Sequence, residues 1–199
     1  MKLHHYILFI FLIGSGIYYY SHRPITRPNG VLVSQSPNQG LIDLNLKPIV
    51  FKKDIIQPLA SYEITARVLS KKRYRFDKQS KYSPWDFALG WGQMSDTDIL
   101  KEMKVTQSGR FYFVNWDKPL SISTESIFEQ SSNTHLIPAN SFVSSVLSEI
   151  RIGHVVKFKG YLARIDMKSG AEWKSSLVRN DMGNGACELL YIQHAQILE

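Results

Sequence analysis

Apolar and polar residues alternate most clearly in the stretch 62–68, YEITARV. Its apolar side chains fall on every second residue, which is the period of a β-strand with one buried face. A second strand is predicted at 110–116, where RFYFVNW is rich in aromatic and β-branched residues. The first of these strands places the start of a compact domain near residue 59.

Three short helices are predicted around these strands. Serine and proline at the start of 83–89 have the residue types of an N-cap and a first helical position, which predicts a helix there. The stretch 95–103 opens with the spacing of a capping box and carries apolar residues on one helical face. An asparagine opens 140–150, where apolar residues recur at helical spacing, and it is expected to cap the third helix.

The C-terminal part of the domain has the pattern of an antiparallel meander. Its predicted elements are a strand at 156–162 with a bulge at Gly160, a turn at 168–170, a returning strand at 173–179, a turn at 181–185 and a closing strand at 188–197. The order of elements predicts an α+β fold for residues 59–199. Its antiparallel sheet is expected to curl into a small, partly open barrel, similar to an OB-fold.

The N-terminal segment 1–22 is the most apolar part of the chain. Residues 6–20 contain no charge, and as a helix they rise about 22 Å, against about 30 Å for a full hydrocarbon span. A signal peptide is one interpretation, but bulky tyrosines and His22 stand where small cleavage-site residues are expected. We therefore predict an uncleaved transmembrane signal anchor. A buried N-terminal helix of a soluble protein is the alternative.

The orientation of the chain in the membrane is predicted from the short N-terminal tail and the large domain that follows the apolar segment. Positive charges are balanced on the two sides of the apolar run. A short tail before a large domain favours a single-pass protein of the inner membrane with its C-terminal domain in the periplasm. Residues 23–58 contain five prolines that interrupt each short apolar run, which predicts an extended tether.

The amino-acid composition favours some classes of partner and excludes some kinds of site. The formal net charge is +7, which suits an anionic partner but is also typical of a solvated basic surface. The single cysteine, Cys187, excludes an intramolecular disulfide and a multi-cysteine zinc site. No cofactor and no metal is expected.

Cys187 is the first candidate for chemistry. It follows a glycine-rich turn, and a thiol nucleophile needs a base within hydrogen-bonding reach and often a third group that orients this base. His194 would face the opposite side of a regular strand about 23 Å away, which leaves His135 as the base, with Asp181 as a further candidate. A buried structural cysteine is the favoured interpretation.

The stretch 181–188 is a candidate calcium site, because it contains several side-chain oxygens. A plain hairpin turn is favoured, because the alternating set of ligands found in calcium-binding loops is incomplete.

A second group of candidates is basic and aromatic. Basic residues interleaved with aromatic ones suit phosphate contact and stacking, and tryptophans beside glycines can line a groove. The structural interpretations, a solvated strand end and core tryptophans, are favoured. The candidates are Lys71, Lys72, Arg73 and Arg75 with Lys78 and Lys81, and Trp85 and Trp91 with Trp116.

Five stretches resemble a group of uncharacterised, membrane-anchored or exported proteins of Gram-negative bacteria. The stretches are RVLSKKRYRFD at 67–77, SPWDFALGWGQMSD at 83–96, SGRFYF at 108–113, NTHLIPAN at 133–140 and SSLVRNDMGNGACE at 175–188. The resemblance implies an extracytoplasmic location and a domain that covers nearly all of 59–199. The group has no assigned activity, so the resemblance implies no catalytic residue.

The sequence thus predicts a membrane-anchored periplasmic domain that is a non-enzymatic binding or assembly component of the cell envelope. Its partner would be a protein or an envelope polymer. The alternative is a cysteine-dependent hydrolase or transpeptidase of peptide or peptidoglycan bonds, with Cys187 as nucleophile and His135 as base. A third, weaker hypothesis is a nucleic-acid-binding module that uses residues 71–81.

Overall fold

The structure is a computed structural model that describes residues 3–43, 45–178 and 185–199. Within these ranges four α-helices and ten strands are formed. The helices are α1 (Leu3–His22), α2 (Thr97–Lys101), α3 (Thr124–Glu129) and α4 (Ser141–Glu149). The strands are β1 (Asn38–Gly40), β2 (Ile49–Phe51), β3 (Asp54–Arg73), β4 (Trp85–Gly90), β5 (Lys104–Ser108), β6 (Phe111–Asn115), β7 (Ser131–Pro138), β8 (Val155–Asp166), β9 (Glu172–Lys174) and β10 (Glu188–Ile197).

Five strands form a ring at the centre of the fold. The long strand β3 pairs with β8 through its first part and with β4 through its last part, and the ring continues through β7 and β10 back to β8. Two register shifts in β3, at 58–60 and 68–70, bend the strand so that it can serve two sides of the ring. The predicted α+β class is confirmed.

The sheet departs from the expected barrel in two respects. β7 and β10 are parallel, while the other ring pairs are antiparallel, so the sheet is mixed. The short strands β1, β2 and β9 extend from β3 and β8, so the ring is not a clean barrel. The predicted bulge near Gly160 is present on the facing strand, where the register of β10 shifts between Ile192 and His194.

Residues 85–90 form strand β4, so the prediction of a helix at 84–89 is wrong. Ser83 does not cap a helix, because its hydroxyl donates to the carbonyl of Trp85 at 3.0 Å. All six residues of β4 are buried, and a strand buried on both faces shows no alternation of apolar and polar residues. The cap-like serine and proline therefore suggested a helix that tertiary packing does not form.

Two helices and the major strands of the domain agree with the sequence prediction. The Asn140 side chain accepts from the amide of Val143 at 2.9 Å and caps α4 as expected. α2 is capped one residue later than predicted, by Asp96, which accepts from the amide of Asp98 at 2.8 Å. Strands over 62–68, 156–162 and 188–197 are confirmed within β3, β8 and β10, and the strand predicted at 110–116 is formed by Phe111–Asn115, with Arg110 in the preceding turn.

Helix α1 is exposed on all sides. Its large apolar side chains from Tyr6 to Tyr20 are 47–76 % exposed. Among the described residues, no helix combines the length and the apolarity needed to cross a membrane. The prediction of a transmembrane helix is therefore not confirmed in this part of the chain.

The segment that follows α1 lies against the domain. The amide of Ile25 donates to the carbonyl of Ile152 at 2.8 Å, and the amide of Gly92 donates to the carbonyl of Val33 at 2.7 Å. Val33 is 6 % exposed and belongs to the main core. Strands β1 and β2 of the same segment pair with β3, which runs across the predicted domain boundary at 58/59.

The core has three parts. The main cluster fills the ring and includes residues of β3, β8 and α4, such as Ile64, Phe158 and Leu147, while α4 itself lies over β10 and β7. A second cluster, around Tyr82 and Leu189, includes residues of β3, β7, β8 and β10. A third cluster packs α3 and the β5–β6 hairpin onto β3 and β4.

Candidate functional site

A cavity of about 460 Å³ lies where five separate parts of the chain meet. We call it the Cys187 cavity. It is lined by the segment after β3, the β5–β6 turn, β7, β9 and the residues just before β10. The lining residues are Tyr74, Asp77, Gln79, Gly109, Arg110, Phe111, His135, Trp173, Lys174, Gly185 and Cys187.

His135 lies on β7, and Cys187 lies immediately before β10, the strand that pairs with β7. β10 runs parallel to β7 with Leu189 beside His135, and this register extended by two residues places Cys187 beside Asn133. The Asn133 amide lies 3.6 Å from the Cys187 sulfur, which agrees with that placement. His135 and Cys187 both line this cavity. The structure thus brings the predicted nucleophile and base to one cavity.

The carboxylate of Asp86 contacts the ring of His135. This carboxylate is fully buried, and its Oδ2 atom lies 3.0 Å from Nδ1 of His135, which is itself 4 % exposed. Its Oδ1 atom accepts from Arg110 at 2.6 Å. The His135 ring also packs against Trp173, with 4.9 Å between the ring centroids. Two neighbours on different elements therefore lie against the imidazole.

Arg110 connects Asp86 with Asp77, because it forms an ion pair with each of them. Its Nε and Nη2 atoms donate to the two carboxylate oxygens of Asp77 at 3.0 and 2.8 Å, while Nη1 donates to Asp86 and to the carbonyl of Ser83. The guanidinium carbon lies 3.9 Å from the centroid of the Tyr74 ring. A bidentate arginine with two carboxylate partners is held more rigidly than a single surface ion pair.

The turn that carries Arg110 is strained. Gly109 and Arg110 connect two paired strands with φ angles of +57° and +73°, the signs required by a type I′ hairpin turn. Arginine in the left-handed region costs roughly 1–2 kcal/mol. The bonds of the side chain to Asp77 and Asp86, with that of its amide to the hydroxyl of Tyr74 at 3.0 Å, offset this cost.

The pKa directions agree with this packing. Burial raises the pKa of Asp77, but the hydrogen bonds and the charge of Arg110 outweigh this effect and hold the pKa below its ordinary value. Burial raises the pKa of Tyr74 above that of free tyrosine. Asp77 is therefore anionic and Tyr74 neutral at physiological pH.

The stretches 67–77, 83–96, 108–113, 133–140 and 175–188 each contribute a residue to this cavity or to its support. Asp77 closes the first stretch and Asp86 belongs to the second, while Arg110, His135 and Cys187 come from the other three. These stretches are far apart along the chain. The fold therefore gathers them at one place.

A second depression, of about 590 Å³, lies where α1 ends. We call it the arginine groove. It collects four of the predicted binding residues, Lys71, Arg73, Arg75 and Trp85, and adds Arg151. The other lining residues are Tyr18, His22, Ser148, Ile150 and Ile152.

Lys71 has a structural role in the arginine groove. Its ammonium donates to the carbonyls of Leu147, Ser148 and Ile150 at 2.7–3.0 Å, at the C-terminal end of α4. It also lies 4.2 Å from the centroid of the Trp85 ring. Burial, with a smaller effect of Arg73, lowers the pKa of Lys71 to about 8.

Other predicted site residues lie elsewhere. Lys72 is exposed and lines neither depression, and Trp91 is 2 % exposed in the main core. Lys81 pairs with Asp54 at 3.0 Å. Asp181 and the first half of the predicted calcium stretch 181–188 lie outside the described residues, and within the described residues no cluster of metal ligands is found.

No known protein family, curated protein or solved structure matches the chain.

Sequence reasoning missed the residues that hold the cavity in shape. Asp86 was assigned to a helix, although a carboxylate inside the apolar run WDFALG is a signal for a buried ion pair. Arg110 follows glycine between two β-prone runs, where the chain needs a turn. No strand was predicted around Asn133, because the polar residues 131–135 that open β7 do not resemble a buried strand.

Proposed function

We propose that the protein is a membrane-attached binding component of the cell envelope, on the periplasmic side of the inner membrane, with the Cys187 cavity as its binding site. The observation that carries this proposal is the convergence of five parts of the chain on that cavity. Its volume of about 460 Å³ is within the range of roughly 300–1,000 Å³ typical of ligand pockets. A short segment of a partner protein or a unit of an envelope polymer fits this size.

The lining supports recognition of a molecule that is partly apolar and partly polar. Phe111, Tyr74 and Trp173 provide aromatic surface, and Gln79 and Lys174 provide hydrogen-bonding groups. Arg110 is neutralised by Asp77 and Asp86, so the cavity has no strong excess of either charge. Recognition by position and shape suits a protein segment or a polymer unit better than a small ion.

Attachment to the membrane is supported by the exposed apolar surface of α1. A continuous apolar surface of this extent is rare on a soluble monomer and is typical of a membrane or partner contact. Insertion of apolar side chains into the bilayer is sufficient for attachment and needs no full crossing.

Photo-crosslinking in membranes tests the binding site. A photoreactive amino acid in place of Phe111, at the rim of the cavity and 38 % exposed, is expected to give a discrete adduct. The control position is Phe142, which is 72 % exposed on α4 and does not line the cavity. Equal labelling from both positions, or none from position 111, would contradict the proposal.

Fractionation of cells tests the attachment. Ile10→Lys together with Leu12→Lys places two charges in the apolar run and is expected to move the full-length chain from the membrane to the soluble fraction. Phe142→Lys, on an exposed apolar residue outside α1, should leave it in the membrane. A double variant that stays in the membrane fraction would exclude α1 as the attachment.

A second candidate function is hydrolysis by a thiol nucleophile, and it is favoured by the shared cavity of Cys187 and His135 and by the contact of His135 with Asp86. His135 would take the thiol proton while the sulfur attacks the carbonyl carbon of a peptide bond. The same proton would then pass to the leaving amine, and water would hydrolyse the thioester to a carboxylate and the free thiol.

Alkylation of Cys187, the single cysteine of the chain, separates the two candidates. An activated thiolate should react with iodoacetamide well below pH 8.5, the ordinary range of a thiol, and His135→Ala should abolish this reactivity. His194→Ala, an exposed histidine outside the cavity, is the matched control. Reaction only after unfolding would exclude the hydrolase and leave the binding role.

A further inference from the structure

We infer that the arginine groove binds the phosphate of an anionic phospholipid headgroup. The inference rests on the proposed attachment of α1 to a membrane and adds a ligand class that the attachment alone does not require. It depends on three arginines, Arg73, Arg75 and Arg151, which line one groove from two different parts of the chain.

The charge in the groove is not balanced. Among the described residues, none of these three arginines has an acidic partner, and no carboxylate lines the groove. Other arginines of the chain do pair, as Arg110 does with Asp77 and Asp86. Like charges that share a groove repel one another, so an anion between them would be stabilised.

The groove also holds a planar hydrogen-bond donor, the guanidinium of Arg73, in a restricted position. The guanidinium carbon of Arg73 lies 4.8 Å from the centroid of the Trp85 ring, which is 8 % exposed. This stacking restricts the side chain, and a guanidinium held by an aromatic ring can present two parallel N–H groups to phosphate oxygens. Lys71 is occupied by backbone carbonyls, so it supports the groove and leaves the anion to the arginines.

The position of the groove identifies the source of the phosphate. Tyr18 and His22, at the end of α1, form part of its wall. The chain just beyond α1 is held to the same loop of the domain, by the Ile25 amide on the carbonyl of Ile152 and by the Arg27 side chain on the carbonyl of Gly153 at 2.9 Å. If the apolar side chains of α1 lie in a bilayer, the groove faces the headgroup layer, where tyrosines also prefer to lie.

Vesicle flotation with the full-length chain tests the inference. We expect binding to phosphatidylcholine vesicles through α1 and stronger binding when phosphatidylglycerol is added, with a loss of this gain at high salt. Each arginine near an anionic surface contributes about fivefold, so Arg73→Gln with Arg75→Gln and Arg151→Gln should reduce the gain on the order of a hundredfold. Binding to pure phosphatidylcholine should be unchanged.

Two variants control for charge and folding. Lys53→Gln with Lys118→Gln and Lys168→Gln removes the same charge from exposed lysines outside the groove and should keep most of the gain. Arg73→Lys with Arg75→Lys and Arg151→Lys keeps the charge and should lose only the part that depends on the guanidinium geometry. Circular dichroism of each variant shows whether it is folded.

The outcomes separate the source of the anion and the two proposals. Equal loss in the arginine and lysine variants would overturn the groove as the site. Saturable binding of inorganic phosphate that abolishes the phosphatidylglycerol gain would replace the lipid by free phosphate, and equally strong, arginine-dependent binding of a single-stranded oligonucleotide would favour nucleic acid. Failure to bind any vesicle would contradict the attachment by α1, whereas binding to neutral vesicles without a phosphatidylglycerol gain would contradict only the headgroup inference.

Discussion

The Cys187 cavity and the arginine groove both contain arginine beside an aromatic ring, but they differ in how the charge is balanced. In the cavity Arg110 has two carboxylate partners and stacks on Tyr74. In the groove Arg73 stacks on Trp85 without an acidic partner among the described residues. The first arrangement holds a shape, while the second leaves positive charge available. The two sites should therefore respond in opposite ways to mutation: the cavity in stability, the groove in binding.

The largest effect is expected from Asp86→Ala. The substitution leaves the guanidinium of Arg110 and the ring of His135 without their fully buried neighbour, and breaking a buried ion pair costs about 3–5 kcal/mol; because Arg110 keeps its pair with Asp77, we expect the lower end of that range. Urea denaturation measures the free energy of unfolding. Asp98→Ala, which removes one partner of an exposed pair with Lys101, should cost less than about 1 kcal/mol. A small effect at Asp86 would mean that the network does not hold the cavity.

An intermediate effect is expected from Lys71→Met. The change keeps the apolar stem but removes the donor from three carbonyls at the end of α4, which should cost about 1–3 kcal/mol of unfolding free energy. Lys72→Met, on the exposed neighbour, is the matched control. Equal stabilities of the two variants would show that Lys71 is not a structural cation and is free to bind an anion.

A smaller effect is expected from acid. Because Arg110 holds the pKa of Asp77 below that of the unfolded chain, this carboxylate stabilises the fold above about pH 4, and the contribution is lost as the pH falls below that value. Asp77→Asn should be less stable at neutral pH and should have a flatter stability profile below pH 4. Asp98→Asn, which leaves the pair of Asp77 and Arg110 in place, should keep the loss of stability that protonation of Asp77 causes. Parallel profiles for Asp77→Asn and the unsubstituted chain would contradict this assignment.

The smallest effect is expected where the arginine groove is changed. Arg73→Gln with Arg75→Gln and Arg151→Gln removes three cations that have no acidic partner among the described residues, so the free energy of unfolding should change by only about 0.5 kcal/mol per site. Relief of repulsion could even raise it. A loss as large as that of Asp86→Ala would show that these arginines are structural and would remove the contrast between the two sites.

The contrast also explains how much could be predicted from the sequence. Local patterns were sufficient for β3, whose apolar residues alternate, and for α4, whose asparagine cap and apolar spacing lie within a few residues of each other. They failed for β4 and β7, because both strands are buried along most of their length and contain polar residues that pair with distant parts of the chain. Burial of that kind is decided by the ring of strands, which no local window contains.

In the two candidate sites, too, residues implied by local sequence could be predicted, and residues that depend on tertiary packing could not. Cys187 and His135 could be proposed together because a thiol nucleophile requires a base, and only a few histidines were available. Asp86 and Arg110 could not be added, because their pairing depends on the β5–β6 turn being placed against β4. The members of the arginine groove on 71–75 lie within one short stretch, whereas Arg151 joins them only through the packing of the loop after α4.

The docking of the segment after α1 limits how far the domain can travel. Only Arg23 and Pro24 separate the end of the helix from the first hydrogen bond to the domain, at Ile25. Two extended residues span about 7 Å, and a domain of this size is on the order of 40 Å across. If α1 lies in the membrane, the domain cannot reach partners in the part of the compartment that is distant from the bilayer. It can sample only the layer of solution next to the bilayer, and its partner must be found there.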